Sequence, residues 1–166
     1  MKKIPVKVSN TRASIPCLVD DEDYEALCRY KWSVVKRGAQ GNRVYARTAF
    51  TNRLLYPTKR QVYVNLHDVV MWKPKGYMID HINGNTLDNR KENLRICTNK
   101  QNIRNSGKYK NNTSGFKGVT WSYGKWKAQI VADGHKYYLG RSSSPIHCAL
   151  AYRIAAKELH GEYANY

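Results

Sequence analysis

Residues 77–105 read YMIDHINGNTLDNRKENLRICTNKQNIRN. Seven asparagines fall within residues 80–105, where average usage gives roughly one. Asn-Gly and Asp-Asn pairs suit turns, so composition alone describes a loop-rich surface. The order of the residues says more. Tyr77–Ile82 and Leu94–Thr98 are short strand candidates, with NGNTLDNRKEN as the loop between them. Thr98 can cap a helix that begins near Asn99 and projects Asn102 back toward the hairpin. The spacing predicts a strand–loop–strand–helix (ββα) unit that gathers Asp80, His81 and Asn102 around one point.

Each of those residues suits a separate task at a phosphodiester. Asp80 and Asn102 offer hard oxygen ligands for one divalent ion, Mg²⁺ or Mn²⁺. His81, neutral at pH 7, can take a proton from a water that attacks phosphorus. Asn93, expected to face His81 across the hairpin, can hold the loop and orient the imidazole through a backbone carbonyl.

The segment resembles the HNH (ββα-metal) nucleases, above all the small phage and intron-encoded homing endonucleases. Their pattern of DH, then NG, then DNRxxNLR and a helical Asn is matched by Asp80-His81, Asn83-Gly84, Asp88-Asn89-Arg90, Asn93-Leu94-Arg95 and Asn102. The resemblance implies His81 as general base, Asp80 and Asn102 as metal ligands and Asn93 as the positioning residue. Asn99 and Asn105 are alternative donors, less well placed by the family spacing. The last position is Asn rather than the His of many relatives, as is usual for this subgroup.

Upstream, residues 1–78 read as a mixed α+β region with a DNA-binding role. Val6–Val8, Cys17–Val19, Lys31–Lys36, Val44–Phe50 and Gln61–Asn65 are strand candidates. VDDEDYEALCRY opens like a short helix with an acidic first turn, and His67–Trp72 like another that Pro74 ends. The VDDEDY…YKW stretch and the following LH also resemble the N-terminal part of the same enzymes. His67 is expected to be structural, since nothing near it in sequence supplies a second ligand or a base.

Downstream of the unit at 79–106, residues 107–114 are polar, basic and free of aliphatic side chains, and read as a linker. FKGVTWS, GKWKAQIVA and HKYYLGR follow as three antiparallel strands joined by Tyr-Gly and Asp-Gly turns. Ser144 and Pro145 start a helix that Gly161 can end, with Ala149, Tyr152, Ala156 and Leu159 on its apolar face. Such a sheet, packed on one helix, leaves a cationic face open. Residues 115–166 resemble the ethylene-response-factor (Apetala) DNA-binding domain through Gly115–Val119, Gly124–Trp126, Tyr138–Gly140, Ala149–Tyr152 and Gly161–Asn165. That resemblance implies a sheet laid in the major groove, with Lys117, Thr120, Ser122, Lys125, Lys127, Gln129, Lys136 and Tyr138 facing DNA. Several positions that carry Arg in the plant domains are Thr, Ser or Val here, so the plant target sequence is not expected to carry over.

Composition points the same way. The net charge is +17, and it is spread along the chain. Residues 1–79 hold fifteen basic against six acidic side chains, 80–106 five against three, and 107–166 nine against three. A polyanion relieves such repulsion by releasing counterions, so double-stranded DNA is the expected partner, bound by a monomer. No long apolar run or basic amphipathic helix suggests a membrane. Four widely spaced cysteines contain no CxxC pair, so no structural zinc is expected. MKKIPVKVSN lacks the apolar core of a secretory signal, and a cytoplasmic setting in a bacterial host, with a phage-encoded gene, is expected. The fold class is therefore α+β and the function a DNA endonuclease. A catalytically inactive DNA-binding regulator and an RNA-binding protein are the rivals.

Overall fold

In the computed structural model, residues 1–37, 43–50 and 61–166 are described. They form two compact units, Met1–Cys97 and Thr98–Tyr166. The division falls inside the Asn-rich segment, between the second hairpin strand and its helix.

The first unit is built on a five-stranded sheet of β1 (Lys2–Lys7), β2 (Ser14–Val19), β3 (Ser33–Arg37), β4 (Arg43–Phe50) and β5 (Val62–Asn65), in the order β2-β1-β3-β4-β5. All pairings are antiparallel except β1 with β3, which meet in parallel at Lys7 and Ser33. Helix α1 (Asp21–Cys28) and the short α2 (Leu66–Val70) complete the scaffold. Alternation places Ile4, Val6, Cys17 and Val19 on one face, where they bury against Leu27, Trp32, Ala46 and Leu66. Trp32 is not left with an orphan donor, for its indole N–H reaches the Leu27 carbonyl at 2.9 Å.

A two-stranded hairpin of β6 (Met78–His81) and β7 (Leu94–Cys97) follows. The strands lie where the sequence puts them, but the register differs by one residue. His81 pairs with Leu94 and Asp80 with Arg95, while the Asn93 carbonyl accepts the N–H of Ile82 at 2.9 Å. The cause is a single 3₁₀ turn at Lys91–Asn93, which withdraws Asn93 from the strand.

The second unit begins with α3 (Asn99–Arg104), capped as expected by Thr98. Gln101 completes a capping box: its N–H reaches the Thr98 hydroxyl and its side chain accepts the Thr98 N–H at 2.8 Å. At the other end of this helix, Lys117 donates to the Arg104 carbonyl at 2.7 Å and Asn165 to that of Asn105 at 2.8 Å. Residues 107–114 carry no helix or strand but are not a bare tether. Asn112 and Ser114 donate to the carbonyls of Phe116 and Val119, tying this stretch to the next strand.

Strands β8 (Val119–Ser122), β9 (Lys125–Ala132) and β10 (His135–Ser142) form an antiparallel sheet packed on α4 (Pro145–His160). Tyr123-Gly124 and Asp133-Gly134 all have positive φ, as two-residue hairpin turns of the primed type require. Val119, Ala128 and Ile130 bury against Cys148, Tyr152 and Ala156. The helix face is thus centred on Cys148, Tyr152, Ala156 and His160, with Ala149 and Leu159 at its flanks. His160 escapes an apolar pattern because it is polar, yet it is buried and its Nε2 lies 3.0 Å from the Val131 carbonyl.

Gly118 fixes how sheet and helix meet. Its φ is +71°, and a Cβ there lies 2.1 Å from the Tyr152 ring. Gly118→Ala is therefore expected to destabilise the second unit by about 3 kcal/mol through overpacking and backbone strain. Urea denaturation followed by circular dichroism reads the effect, and an unchanged midpoint contradicts this packing.

Candidate active site

The loop between β6 and β7 is held by its own asparagines and by the N-terminal sheet. Leu18 on β2 donates to the Leu87 carbonyl at 2.8 Å and accepts from the Asn89 N–H at 2.9 Å, so the loop adds a short parallel bridge to the edge of the sheet. Asp20 accepts the N–H of Lys91 at 2.8 Å, and the Lys91 ammonium pairs with Glu22 and Asp23. Thr86 donates to the Val44 carbonyl. Within the loop, Asn93 accepts from the Asn83 N–H at 3.0 Å and donates to the Asp88 carbonyl at 2.8 Å. Asp88 is gripped by Arg90 through two bonds of 2.8 Å and by Asn83 at 3.0 Å. The Arg90 guanidinium holds the Asp88 carboxyl below its usual range.

Asp80 and His81 end β6 and are both buried, at 5% and 4% exposure. The Asp80 Oδ2 accepts from Arg95, directly across the hairpin, at 2.9 Å from Nε and 2.8 Å from a terminal nitrogen. His81 Nε2 lies 3.3 Å from Oδ1 of Asn89. The ring is also packed edge-to-face against His67 and Tyr45, with centroids 5.4 Å and 6.2 Å away. Burial pushes the His81 imidazole below its ordinary range. The Asn89 bond and the carboxylates of Asp80 and Asp88 oppose that shift. At neutral pH it is an uncharged ring able to accept a proton.

Asp80, His81 and Asn93 therefore lie together in the first unit, and Asn102 lies on α3 in the second, its N–H on the Thr98 carbonyl at 3.0 Å. Asn93 bridges the Asn83 N–H and the Asp88 carbonyl within the loop. The side chain that meets the imidazole is Asn89. Three further residues were not singled out from sequence as parts of the site. Arg95 neutralises Asp80, and the predicted hairpin carried the signal, since the strand partner of a buried carboxylate is the natural place for a cation. Asn89 stood inside the DNR motif with no task assigned. His67 lacks a partner nearby in sequence, but the fold sets its ring against His81.

In the second unit, β9 alternates as expected. Lys125, Lys127 and Gln129 turn away from α4, and register sets Ser122, Thr120 and Tyr138 beside them. Lys136 pairs with Val131 on the same face, and Arg141 with Lys127. Arg141 adds a cation that sequence reading missed. Lys117 stands apart from this face. Burial lowers its ammonium to about 8, and it is spent on the Arg104 carbonyl.

Comparison with known proteins bears on residues 72–104, which match a family model described as HNH endonuclease. A protein of Escherichia phage T7, Protein 3.8, is 39% identical over 95 residues, 56% of this chain and 78% of that protein. The chain belongs to the HNH endonuclease family. An uncharacterized HNH endonuclease, L560, of Acanthamoeba polyphaga mimivirus is 35% identical over 92 residues, covering 55% of this chain and 47% of that one. No solved structure matches. As an HNH endonuclease the chain is a nuclease, and membership implies metal dependence and DNA as substrate. Among the described residues, no group of three or more His, Cys, Asp or Glu is placed to hold a metal ion. No helix among them is long and apolar enough to cross a membrane.

His67 makes the enzyme's stability sensitive to acid. Burial lowers its imidazole to about 4 from an ordinary 6.5, with Asp68 acting in the opposite sense. The unfolded chain then binds the extra proton first, so this contribution is complete above pH 6.5 and is lost as pH falls toward 4. The loss is expected to reach about 3 kcal/mol. Urea unfolding between pH 7 and pH 4 should fall more steeply for the wild type than for His67→Phe, which keeps a ring but cannot titrate. Equal slopes would show that His67 is not held neutral.

Proposed function

We propose that this protein hydrolyses phosphodiester bonds of double-stranded DNA, with His81 as general base and one divalent ion, Mg²⁺ or Mn²⁺, at Asp80. The observation that carries the reading is His81 itself: a buried, uncharged imidazole at a strand end, fixed by Asn89 and beside a buried carboxylate. His81 takes the proton from the attacking water. Asn93 keeps the loop closed around the base. The donor chemistry suits a hard cation, since Asp80 offers carboxylate oxygen and Asn102 is the second oxygen donor that the family resemblance assigns. Such an ion, when bound, stabilises charge on the scissile phosphate and on the leaving 3′ oxygen. Arg95 compensates the buried Asp80 charge.

Binding is assigned to the open face of the C-terminal sheet, in the manner of the ethylene-response-factor domains it resembles, with residues 1–78 also contacting DNA and 107–114 as the connection. The face joins Lys125, Lys127, Lys136 and Arg141 to Thr120, Ser122, Gln129 and Tyr138. Lys117 is left out of this set because of its bond to the Arg104 carbonyl. A monomer with one motif nicks, acting in the cytoplasm of a phage host.

Supercoiled plasmid carrying DNA of the source genome, incubated with Mg²⁺, Mn²⁺ or EDTA, tests the chemistry. Open circles should form only with metal, and both Asp80→Ala and His81→Ala should abolish them while still binding duplex. Normal cleavage by His81→Ala removes it as the base, and linear product in place of circles points to paired action. Lys127→Ala should weaken duplex binding across sequences and lower the salt slope by about 1. An unchanged slope takes the sheet face out of the DNA interface.

A further inference from the structure

We infer that the C-terminal unit clamps the last helix of the nuclease motif, with Lys117 and Asn165 as positioning residues that act on Asn102 through α3. The inference rests on the reading of Asn102 as a donor to the metal, and it names what holds that donor.

Helix α3 has little of its own to keep it folded. It spans only the six residues Asn99–Arg104, and none of them is buried. Helices shorter than about twelve residues are marginal in water unless a face is packed. Ile103, the single aliphatic side chain of α3, is 62% exposed. The Thr98 capping box secures the first turn. The last turn has no left-handed residue to close it, since Asn105 sits at φ −75° in the right-handed helical region. Carbonyls at such an end need donors from elsewhere.

Those donors come from the C-terminal sheet and helix. Lys117 Nζ donates to the Arg104 carbonyl at 2.7 Å, and Asn165 Nδ2 to the Asn105 carbonyl at 2.8 Å. The Arg104 side chain pairs with Asp133 in the turn between β9 and β10. The three partners lie before β8, beyond α4 and between two strands, so separate parts of the unit converge on one helix end. Lys117 is suited to this place. It is half-buried, burial has lowered its ammonium, and a cation is favoured at the carbonyl end of a helix. Its backbone is set by the next residue, Gly118, packed so close to Tyr152 that a Cβ would overlap the ring.

The division of the chain agrees. The stretch that matches the HNH family runs to Arg104, whereas the second compact unit begins at Thr98. The end of the nuclease motif therefore belongs to the C-terminal unit. The bonds to α3 do nothing to grip a duplex, but they fix the helix that bears Asn102.

Hydrogen exchange of the full-length protein, read by mass spectrometry, tests the clamp without any cleavage. In Lys117→Met and in Asn165→Ala, amides of residues 98–106 should exchange faster, on the order of tenfold for the loss of one such bond. Peptides from β9 and α4 should keep their wild-type rates. Lys117→Arg, which retains a donor, should keep α3 protected. In nicking assays the two clamp variants should need roughly 10- to 100-fold more Mn²⁺ for half-maximal rate, the usual cost of losing a group that orients a metal ligand. Their metal-free duplex Kd should be unchanged. Wild-type exchange at residues 98–106 in both variants overturns the clamp. Faster exchange with an unaltered Mn²⁺ requirement overturns the positioning role, as does a weaker duplex Kd with a lower salt slope in its place. Should Lys117→Met fail to fold, Asn165→Ala decides, because Asn165 lies outside the sheet and α4. A wild-type Mn²⁺ requirement in Asn102→Ala would reject the donor assignment itself, and the clamp would still stand or fall on exchange.

Discussion

The site depends on one piece of backbone pairing, the two hydrogen bonds that join the loop at Leu87–Asn89 to Leu18 on the edge of the N-terminal sheet. An unpaired strand edge is a liability in any sheet, and here the nuclease loop covers it. A long polar loop between two four-residue strands has little of its own to hold it, since a hairpin of this size is marginal alone. Pairing with β2 gives the loop a rigid reference. Asn89 can then present its amide to His81 because its backbone is already fixed. The N-terminal region in this sense helps to build the candidate site.

The asparagines of the loop make physical sense on the same ground. A carboxamide both donates and accepts, so Asn83, Asn85, Asn89 and Asn93 can satisfy backbone and side-chain partners together without adding charge. Buried polar groups have to be paired, and Asn93 meets this requirement with one bond from each end of its amide. The buried carboxylates here are Asp80 and Asp88, and each has its own arginine, Arg95 and Arg90. This keeps the surroundings of His81 polar while the ring itself stays neutral.

How much of this was legible in the sequence follows from whether the cause is local. The turns at Tyr123-Gly124 and Asp133-Gly134, the Thr98 capping box and the Pro145 helix start are set by neighbours along the chain, and all were readable there. The hairpin was readable too, but its register was not, because the turn at Lys91–Asn93 shifts the pairing by one residue. What escaped are contacts across long separations. Cys17 and Asn89 are 72 residues apart, and nothing local says that a buried thiol meets a loop asparagine. His67 and Lys117 show the same limit in opposite directions. The first gains a functional neighbour through the fold. The second, one lysine among many, is turned inward onto a helix end.

The charge of the chain can be weighed against these details. Of the cations nearest the proposed chemistry, Arg90 and Arg95 are already paired with carboxylates, and Lys91 with two more. They hold structure, so they contribute less to attracting a polyanion than a count of basic residues suggests. On the C-terminal sheet, by contrast, Lys125, Lys127 and Lys136 share an open face with Tyr138, and no ion pair among the described residues involves them. If affinity comes from counterion release, it should come mainly from faces of this second kind. The loop can then specialise in geometry: Arg90 is committed to Asp88, Lys91 to Glu22 and Asp23, and the neighbouring Arg95 to Asp80, which leaves the proton to the proposed base, His81.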